Sequence, residues 1–127
     1  MNDFGNFLRT HRELLQTEDT SFSLRQVAAR LEVQPSYLSK IERGLENPSE
    51  EMVIKLAKEY KQNEDVLLAL AGKVSSRLQK IIMKNPVAFA TLIESLENSP
   101  EYAILKIVRE IVDEETYQRI EESRRVA

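Results

Sequence analysis

The sequence has no cysteine and no tryptophan, only one histidine, and three glycines among its 127 residues. Without thiols the chain has no disulfides and no thiolate ligands for a metal. The single histidine, His11, has no second histidine with which to form a metal site. We therefore expect no metal ion and no other cofactor.

Long apolar runs are also missing, since no stretch approaches the roughly 18 consecutive apolar residues of a membrane-spanning helix. The first residues lack both the basic start and the apolar segment of a signal peptide. We therefore expect a cytoplasmic protein without a membrane partner.

The scarcity of glycine and histidine also bears on catalysis. Glycines at positions 5, 44 and 72 are too far apart to form a phosphate-binding loop, and one histidine does not assemble a nucleophile with its base. Adjacent carboxylates such as Glu50 and Glu51 point apart on a helix, which favours a solvated surface over acid–base chemistry. We expect no enzymatic activity.

The charge of the chain is acidic overall but basic in one place. The formal net charge is −3 and the sequence pI is about 5.3, which counts against indiscriminate coating of nucleic acid. Basic residues are nevertheless concentrated within residues 23–44, where four of them oppose two acidic residues: Arg25, Arg30, Lys40 and Arg43 against Glu32 and Glu42. A local basic patch of this kind is compatible with binding at one DNA site.

The hydrophobic pattern is helical almost throughout. Apolar residues recur at intervals of three and four, and breaks at residues 16–22, 32–33 and 44–49, at Asn63 and at Gly72 divide the first part into five short helices. The pattern predicts an all-α fold with a five-helix domain at residues 1–72 and a helical region at residues 73–127. The charged residues 113–127 either extend the last helix or fray.

Two of the predicted helices carry a functional motif. Residues 23–31 and 34–43 form amphipathic helices joined only by Glu32 and Val33, a spacing typical of a helix-turn-helix whose second helix enters the DNA major groove. In that second helix the side chains divide into two faces. Leu38, Ile41 and Leu45 point inward, whereas Ser36, Lys40 and Arg43 lie opposite, flanked by Tyr37 and Ser39.

The sequence of residues 23–44, with the Asn-Pro-Ser of residues 47–49, resembles the Cro/cI-type repressors, also called xenobiotic-response-element regulators. The run Tyr-Leu-Ser-Lys-Ile-Glu-Arg-Gly at residues 37–44 is its most specific part. The resemblance covers residues 4–72 and implies a five-helix lambda-repressor-like domain that binds double-stranded DNA.

The resemblance also implies individual roles. Gln34, Ser36 and Tyr37 would face bases and the flanking backbone, and Lys40 would reach bases or phosphate. Other expected contacts are with the DNA backbone, and Ser39 borders the same surface. The full set of expected DNA-binding residues is Arg25, Gln26, Gln34, Ser36, Tyr37, Ser39, Lys40, Arg43 and Asn47. Arg12 and Glu42 correspond to a structural ion pair of the family.

Three positions depart from the family pattern. Leu24 replaces a glutamine that often contacts phosphate, Glu32 replaces the usual glycine of the turn, and Glu46 stands where a basic residue is common. Glu32 is strained if its backbone is left-handed. Together these departures predict weaker non-specific affinity for DNA than in a more basic relative.

The apolar surface of residues 73–127 has three open explanations. These helices form a homodimer interface, fold back on the first domain, or bind another protein such as a toxin or a protease. The expected interface residues are Ile104, Leu105, Ile107, Val108, Ile111 and Val112. The sequence thus predicts a repressor that binds a palindromic operator as a dimer. The alternative is an antitoxin-like protein whose C-terminal helices bind a protein partner, with autoregulatory DNA binding.

Overall fold

The computed structural model describes residues 3–126 and, within them, every side chain except those of residues 3, 123, 125 and 126. The outermost residues of the two predicted domains, 1, 2 and 127, lie outside the described residues. The described chain has no strand and consists of α1 (Asp3–Glu18), a 3-10 turn (Thr20–Phe22), α2 (Leu24–Arg30), α3 (Pro35–Glu42), α4 (Glu50–Glu59), α5 (Glu64–Leu70), α6 (Ser76–Lys84), α7 (Pro86–Ser95), α8 (Glu101–Ile111) and α9 (Glu114–Val126). The predicted all-α class, with five helices before residue 72 and further helices after it, is confirmed.

Short polar side chains begin three of the central helices. Ser23 Oγ accepts a hydrogen bond from the Gln26 backbone N–H at 3.2 Å, and Ser49 Oγ accepts one from the Met52 N–H at 3.2 Å. Asn63 performs the same role at α5. Each cap satisfies an N–H group that has no partner inside the helix, so the helix starts follow directly from the local sequence.

The helices α2, α3, α4 and α5 end in a common turn. Each is followed by a left-handed residue, and these residues are Glu32 (φ 60°), Gly44 (φ 77°), Lys61 (φ 55°) and Gly72 (φ 76°). The next N–H then bonds to a carbonyl five residues back, as from Leu45 N to Lys40 O at 2.8 Å. This is the Schellman motif, which satisfies the last carbonyls of a helix. Glycine adopts the turn without strain, whereas Glu32 and Lys61 do not.

The chain divides into two compact units, Met1–Leu78 and Gln79–Ala127. The first contains a continuous core contributed by α1 to α5. Its buried hydrophobic side chains are Phe4, Phe7, Leu8, Val27, Ala28, Leu31, Leu38, Ile41, Val53, Leu56, Ala57, Tyr60, Leu67 and Leu68. Burial of this apolar surface is the main term that stabilises the five helices around the helix-turn-helix.

The first unit continues beyond Gly72, because residues 73–77 bond back to α4, α5 and the loop before α4. The contacts are Lys73 Nζ with Pro48 O, Ser76 N with Glu50 Oε1 at 3.0 Å, and Arg77 with Asp65. The start of α6 is therefore fixed to the helices that follow the recognition segment. The domain boundary at residue 72 stays a prediction.

His11 lies in the core of the first unit rather than at the helix surface or its boundary. Its Nδ1–H donates to Phe7 O at 3.2 Å, and its ring lies 4.1 Å from the Phe7 ring, centroid to centroid. Burial lowers the pKa of His11, and the hydrogen bond to Phe7 opposes this effect. The imidazole is therefore a neutral packing group at neutral pH.

The second unit contains α7, α8 and α9. The charged end of the chain neither extends α8 nor simply frays: Val112 is extended (ψ 160°), and Asp113 Oδ1 accepts a hydrogen bond from Thr116 N at 2.7 Å to begin α9. Arg109 lies 4.5 Å from the centre of the Tyr117 ring, which links α8 to α9. None of the described helices is long and apolar enough to cross a membrane.

Candidate nucleic-acid interface

The position of α3 is determined by its inner face and by α1. Leu38 and Ile41 are fully buried. At the end of α3, Gly5 of α1 approaches so closely that a Cβ atom on Gly5 would lie 2.6 Å from Glu42 O and 2.7 Å from Ile41 O. The two backbones are thus in direct contact, and this contact sets the distance between α1 and the last turn of α3.

A buried ion pair joins the same two helices. Arg12 Nε donates to Glu42 Oε2 at 2.7 Å and Arg12 Nη2 donates to Glu42 Oε1 at 3.1 Å, with the two side chains 9% and 5% exposed. Arg12 Nη1 also donates to Phe22 O at 3.4 Å. The hydrogen bond that Arg12 donates to Glu42 raises the pKa of Arg12. The pKa of Tyr60 is also raised, mainly by burial and secondly by the negative charge of Glu42. Glu42 is the one acidic residue of α3, so the pair leaves this helix without an exposed negative charge.

The outer face of α3 is polar and cationic. Gln34, Ser36, Lys40 and Arg43 are all exposed, and the last three follow one another at intervals of four and three residues. Successive side chains at this spacing lie along one side of a helix. Among the described residues, no hydrogen bond or ion pair engages the Lys40 ammonium, so its donors face solvent. This surface suits contacts with base edges and phosphates.

Two other expected contact residues, Tyr37 and Ser39, are only partly exposed. Tyr37 is half-buried and packs against the core, so only part of its ring faces outward. Ser39 is half-buried, and its Oγ accepts a hydrogen bond from Arg43 Nε at 3.2 Å. The structure therefore gives Ser39 the role of orienting the Arg43 guanidinium, whose remaining nitrogens stay exposed.

The remaining candidates flank α3. Arg25 and Gln26 are exposed in the first turn of α2, and Asn47 is exposed in the loop before α4. Leu24 is half-buried and packs against the core. Glu46 is exposed beside Asn47.

Arg30 has a structural role that the sequence did not reveal. It pairs with Glu59 of α4, donates through Nη1 to Ser21 O at 2.6 Å, and lies 5.1 Å from the centre of the Phe22 ring. Within residues 23–44, the ion pairs of Arg30 with Glu59 and of Glu42 with Arg12 neutralise one charge of each sign, although Arg30 itself stays exposed. The exposed charges there that have no such ion pair within the described part of the chain are Arg25, Lys40 and Arg43 against Glu32.

In the turn between α2 and α3, Glu32 has the left-handed backbone conformation that is usual for glycine. Glu32 is left-handed, and the two hydrogen bonds around it are Glu32 N to Ala29 O at 3.1 Å and Val33 N to Ala28 O at 3.0 Å. A left-handed conformation costs a non-glycine residue about 1–2 kcal/mol. The turn is therefore fully hydrogen-bonded but strained at one residue.

Replacing Glu32 by glycine is expected to raise the free energy of unfolding by about 0.5–1 kcal/mol, because relief of strain exceeds the added entropy of the unfolded chain. It should also strengthen DNA binding by removing a nearby carboxylate. Urea unfolding and binding titrations measure the two effects, and Glu32→Gln serves as the control that changes charge alone. A lower unfolding free energy for Glu32→Gly would contradict the strain.

Comparison with known proteins gives consistent results. The family model described as Helix-turn-helix matches residues 21–67. Two uncharacterized HTH-type transcriptional regulators of Mycobacterium tuberculosis, from strains CDC 1551 and H37Rv, are each 38% identical over 68 residues, which is 54% of this chain and 45% of the relative. The chain thus spans about half the length of the curated relatives it matches. No solved structure gives a significant match.

The matched segment begins at the 3-10 turn, contains α2, the left-handed turn, α3 and α4, and ends within α5. It therefore coincides with the helices that surround the exposed face of α3. Residues 21–67 of this chain are therefore similar to the helix-turn-helix family, and their helices are consistent with part of a lambda-repressor-like domain.

Proposed function

We propose that this protein is a sequence-specific DNA-binding transcriptional regulator that represses by occupying a palindromic operator as a dimer. The observation that carries the proposal is the outer face of α3. It exposes Ser36, Lys40 and Arg43, while the one carboxylate of the helix is neutralised by Arg12. An α-helix with such a face fits the major groove, which is about 12 Å wide.

The expected division of roles follows from position. Gln34, Ser36 and Lys40 contact bases or the adjacent backbone, whereas Arg43, Asn47, Arg25 and Gln26 hold phosphates. One recognition helix reads only a few base pairs, so a dimer that reads two half-sites roughly 34 Å apart gains specificity. An acidic chain benefits further, because its non-specific attraction to DNA is weak.

The second unit is the proposed dimerisation region. On α8, Ile107 and Ile111 are 42% and 78% exposed, whereas Ile104, Leu105, Val108 and Val112 are half-buried. Exposed isoleucines on one helix favour an interface with another protein. The antitoxin-like alternative rests on the same surface and differs in its occupant, which would be a toxin or a protease.

Substitutions of Lys40 and Arg43 should separate base from phosphate contacts. Lys40→Ala should weaken binding to the preferred site by about 1–3 kcal/mol and relax the base preference there. Arg43→Ala should weaken binding to all sequences alike and reduce the salt slope by about one. Fluorescence anisotropy titrations at several salt concentrations measure both effects.

The matched control is Lys55→Ala, which removes the same charge from an exposed position of α4 outside the two helices of the motif. It should change affinity little. The preferred site is first obtained by selecting bound fragments from genomic DNA with the full chain. Failure to enrich any fragment would overturn the proposed function, and a sequence-independent loss for Lys40→Ala would assign Lys40 to phosphate.

A further inference from the structure

The helix α7 carries apolar side chains on all sides, and most of them are exposed to solvent. Of its ten residues only Thr91, Glu94 and Ser95 are polar, yet Val87 is 79% and Ile93 is 58% exposed. Between residues 79 and 124, no described side chain is fully buried. A helix that is hydrophobic on every side normally lies inside a core. A single copy of the chain does not supply that core for α7.

Opposite charges flank α7. Lys84 is the last residue of α6, where its charge suits the C-terminal end of that helix, and Glu94 lies in the last turn of α7, at the negative end of the α7 dipole. Glu94 therefore destabilises α7 slightly. Both side chains are exposed, and no hydrogen bond or ion pair of either is found among the described residues.

We propose that α7 pairs antiparallel with α7 of a second copy of this chain. In that arrangement Lys84 of each copy faces Glu94 of the other, so the exposed charges that flank α7 form two intermolecular ion pairs. The arrangement is self-complementary, as a two-fold dimer requires. This pairing would supply the interface of the proposed dimeric regulator. Its connection to a palindromic operator rests on the proposed function.

The register follows from the same two residues. Residues 84 and 94 are symmetric about residue 89, so the two-fold axis passes near Phe89. Ala90, which lies on the same side of α7 as Val87, Ile93 and Glu94, is small and exposed, which lets the two helices approach closely at the crossing point. Val87 and Ile93 are then covered by the partner helix, and the apolar side chains of α7 acquire a shared core.

Charge reversal in the full-length protein tests this arrangement. Lys84→Glu and Glu94→Lys each place like charges opposite one another in a homodimer. Each variant alone should therefore dimerise roughly tenfold more weakly than the wild type, as measured by analytical ultracentrifugation. When the two variants are mixed, every end pair again joins opposite charges, so native mass spectrometry should show mixed dimers in excess over both homodimers.

The matched control uses Lys55→Glu and Glu51→Lys, which reverse exposed charges four residues apart on α4, outside the second unit. Mixing these two variants should give only the statistical share of mixed dimers. A preference in the control pair, no preference in the α7 pair, or a wild type that remains monomeric would each overturn the proposal. Monomeric wild type with strong binding of an unrelated protein at α7 would assign the surface to a different partner.

The two proposals fail separately. Dimerisation is measured without DNA, so mixed α7 dimers together with no enriched genomic fragment would leave the pairing intact and remove the regulatory function. Enriched fragments together with dimers indifferent to the α7 charges would do the reverse. If both hold, the mixed dimer should recover most of the affinity for the palindrome that each variant alone has lost.

Discussion

Glu42→Ala lowers the free energy of unfolding by about 3–5 kcal/mol and lowers the melting temperature of the first unit by more than about 10 °C. The substitution leaves the Arg12 guanidinium buried with its main partner gone, and an unpaired buried charge is among the costliest defects in a protein. A domain of this size has only about 5–15 kcal/mol of stability to lose. Circular dichroism melting measures the effect.

The control for this prediction replaces both partners. Arg12→Met with Glu42→Leu removes the pair without leaving a charge behind, and such replacements are often neutral or stabilising. We expect the double variant to recover most of the stability that Glu42→Ala loses. An unchanged melting temperature for Glu42→Ala would show that the pair is not needed for folding.

Gly5→Ala lowers the free energy of unfolding by up to about 2 kcal/mol, although alanine is the better helix former. The added methyl group would lie 2.6 Å and 2.7 Å from two backbone carbonyl oxygens of α3, and a backbone does not move aside as a flexible side chain does. Overpacking of this kind costs about 1–3 kcal/mol and outweighs the roughly 1 kcal/mol that alanine gains in a helix.

Asn6→Ala is the matched control, because residue 6 is the exposed neighbour of Gly5 in the same helix. Its stability should equal or slightly exceed that of the wild type, since only helix propensity changes. Urea unfolding of both variants gives the comparison. If Gly5→Ala unfolds at the same urea concentration as Asn6→Ala, the close contact of α1 and α3 is not a constraint.

Features set by neighbouring residues were predictable from the sequence. Ser23, Gly44 and Asn63 begin or end helices as their local chemistry requires, and the 3.6-residue pattern correctly places Leu38 inside. The same pattern is wrong for Leu45, which follows the end of α3 and is 64% exposed. Ser23 and Gln26 have the spacing of a capping box, but the backbone N–H of Ser23 donates to Thr20 O at 3.2 Å, because the chain enters α2 from a 3-10 turn.

Features set by distant residues were not predictable in the same way. Arg30 pairs with a residue 29 positions away, and Arg77 with one 12 positions away. Such partners meet only after the helices have packed, so no local spacing identifies them. The start of α9 was different, since Asp113 followed by Glu114 and Glu115 is a recognisable helix start that the charged composition obscured.

One face of α3 packs in the core and the opposite face does not, so the two faces can change independently in evolution. Leu38, Ile41 and Glu42 hold the domain together, while Ser36 and Lys40 take no part in the core. Under the proposed function, substitutions at positions 36 and 40 change which DNA sequence is preferred at little cost in stability. Duplicated copies of this gene are therefore free to acquire new operators while keeping one scaffold, and the same two positions are the natural choice for engineering a new specificity.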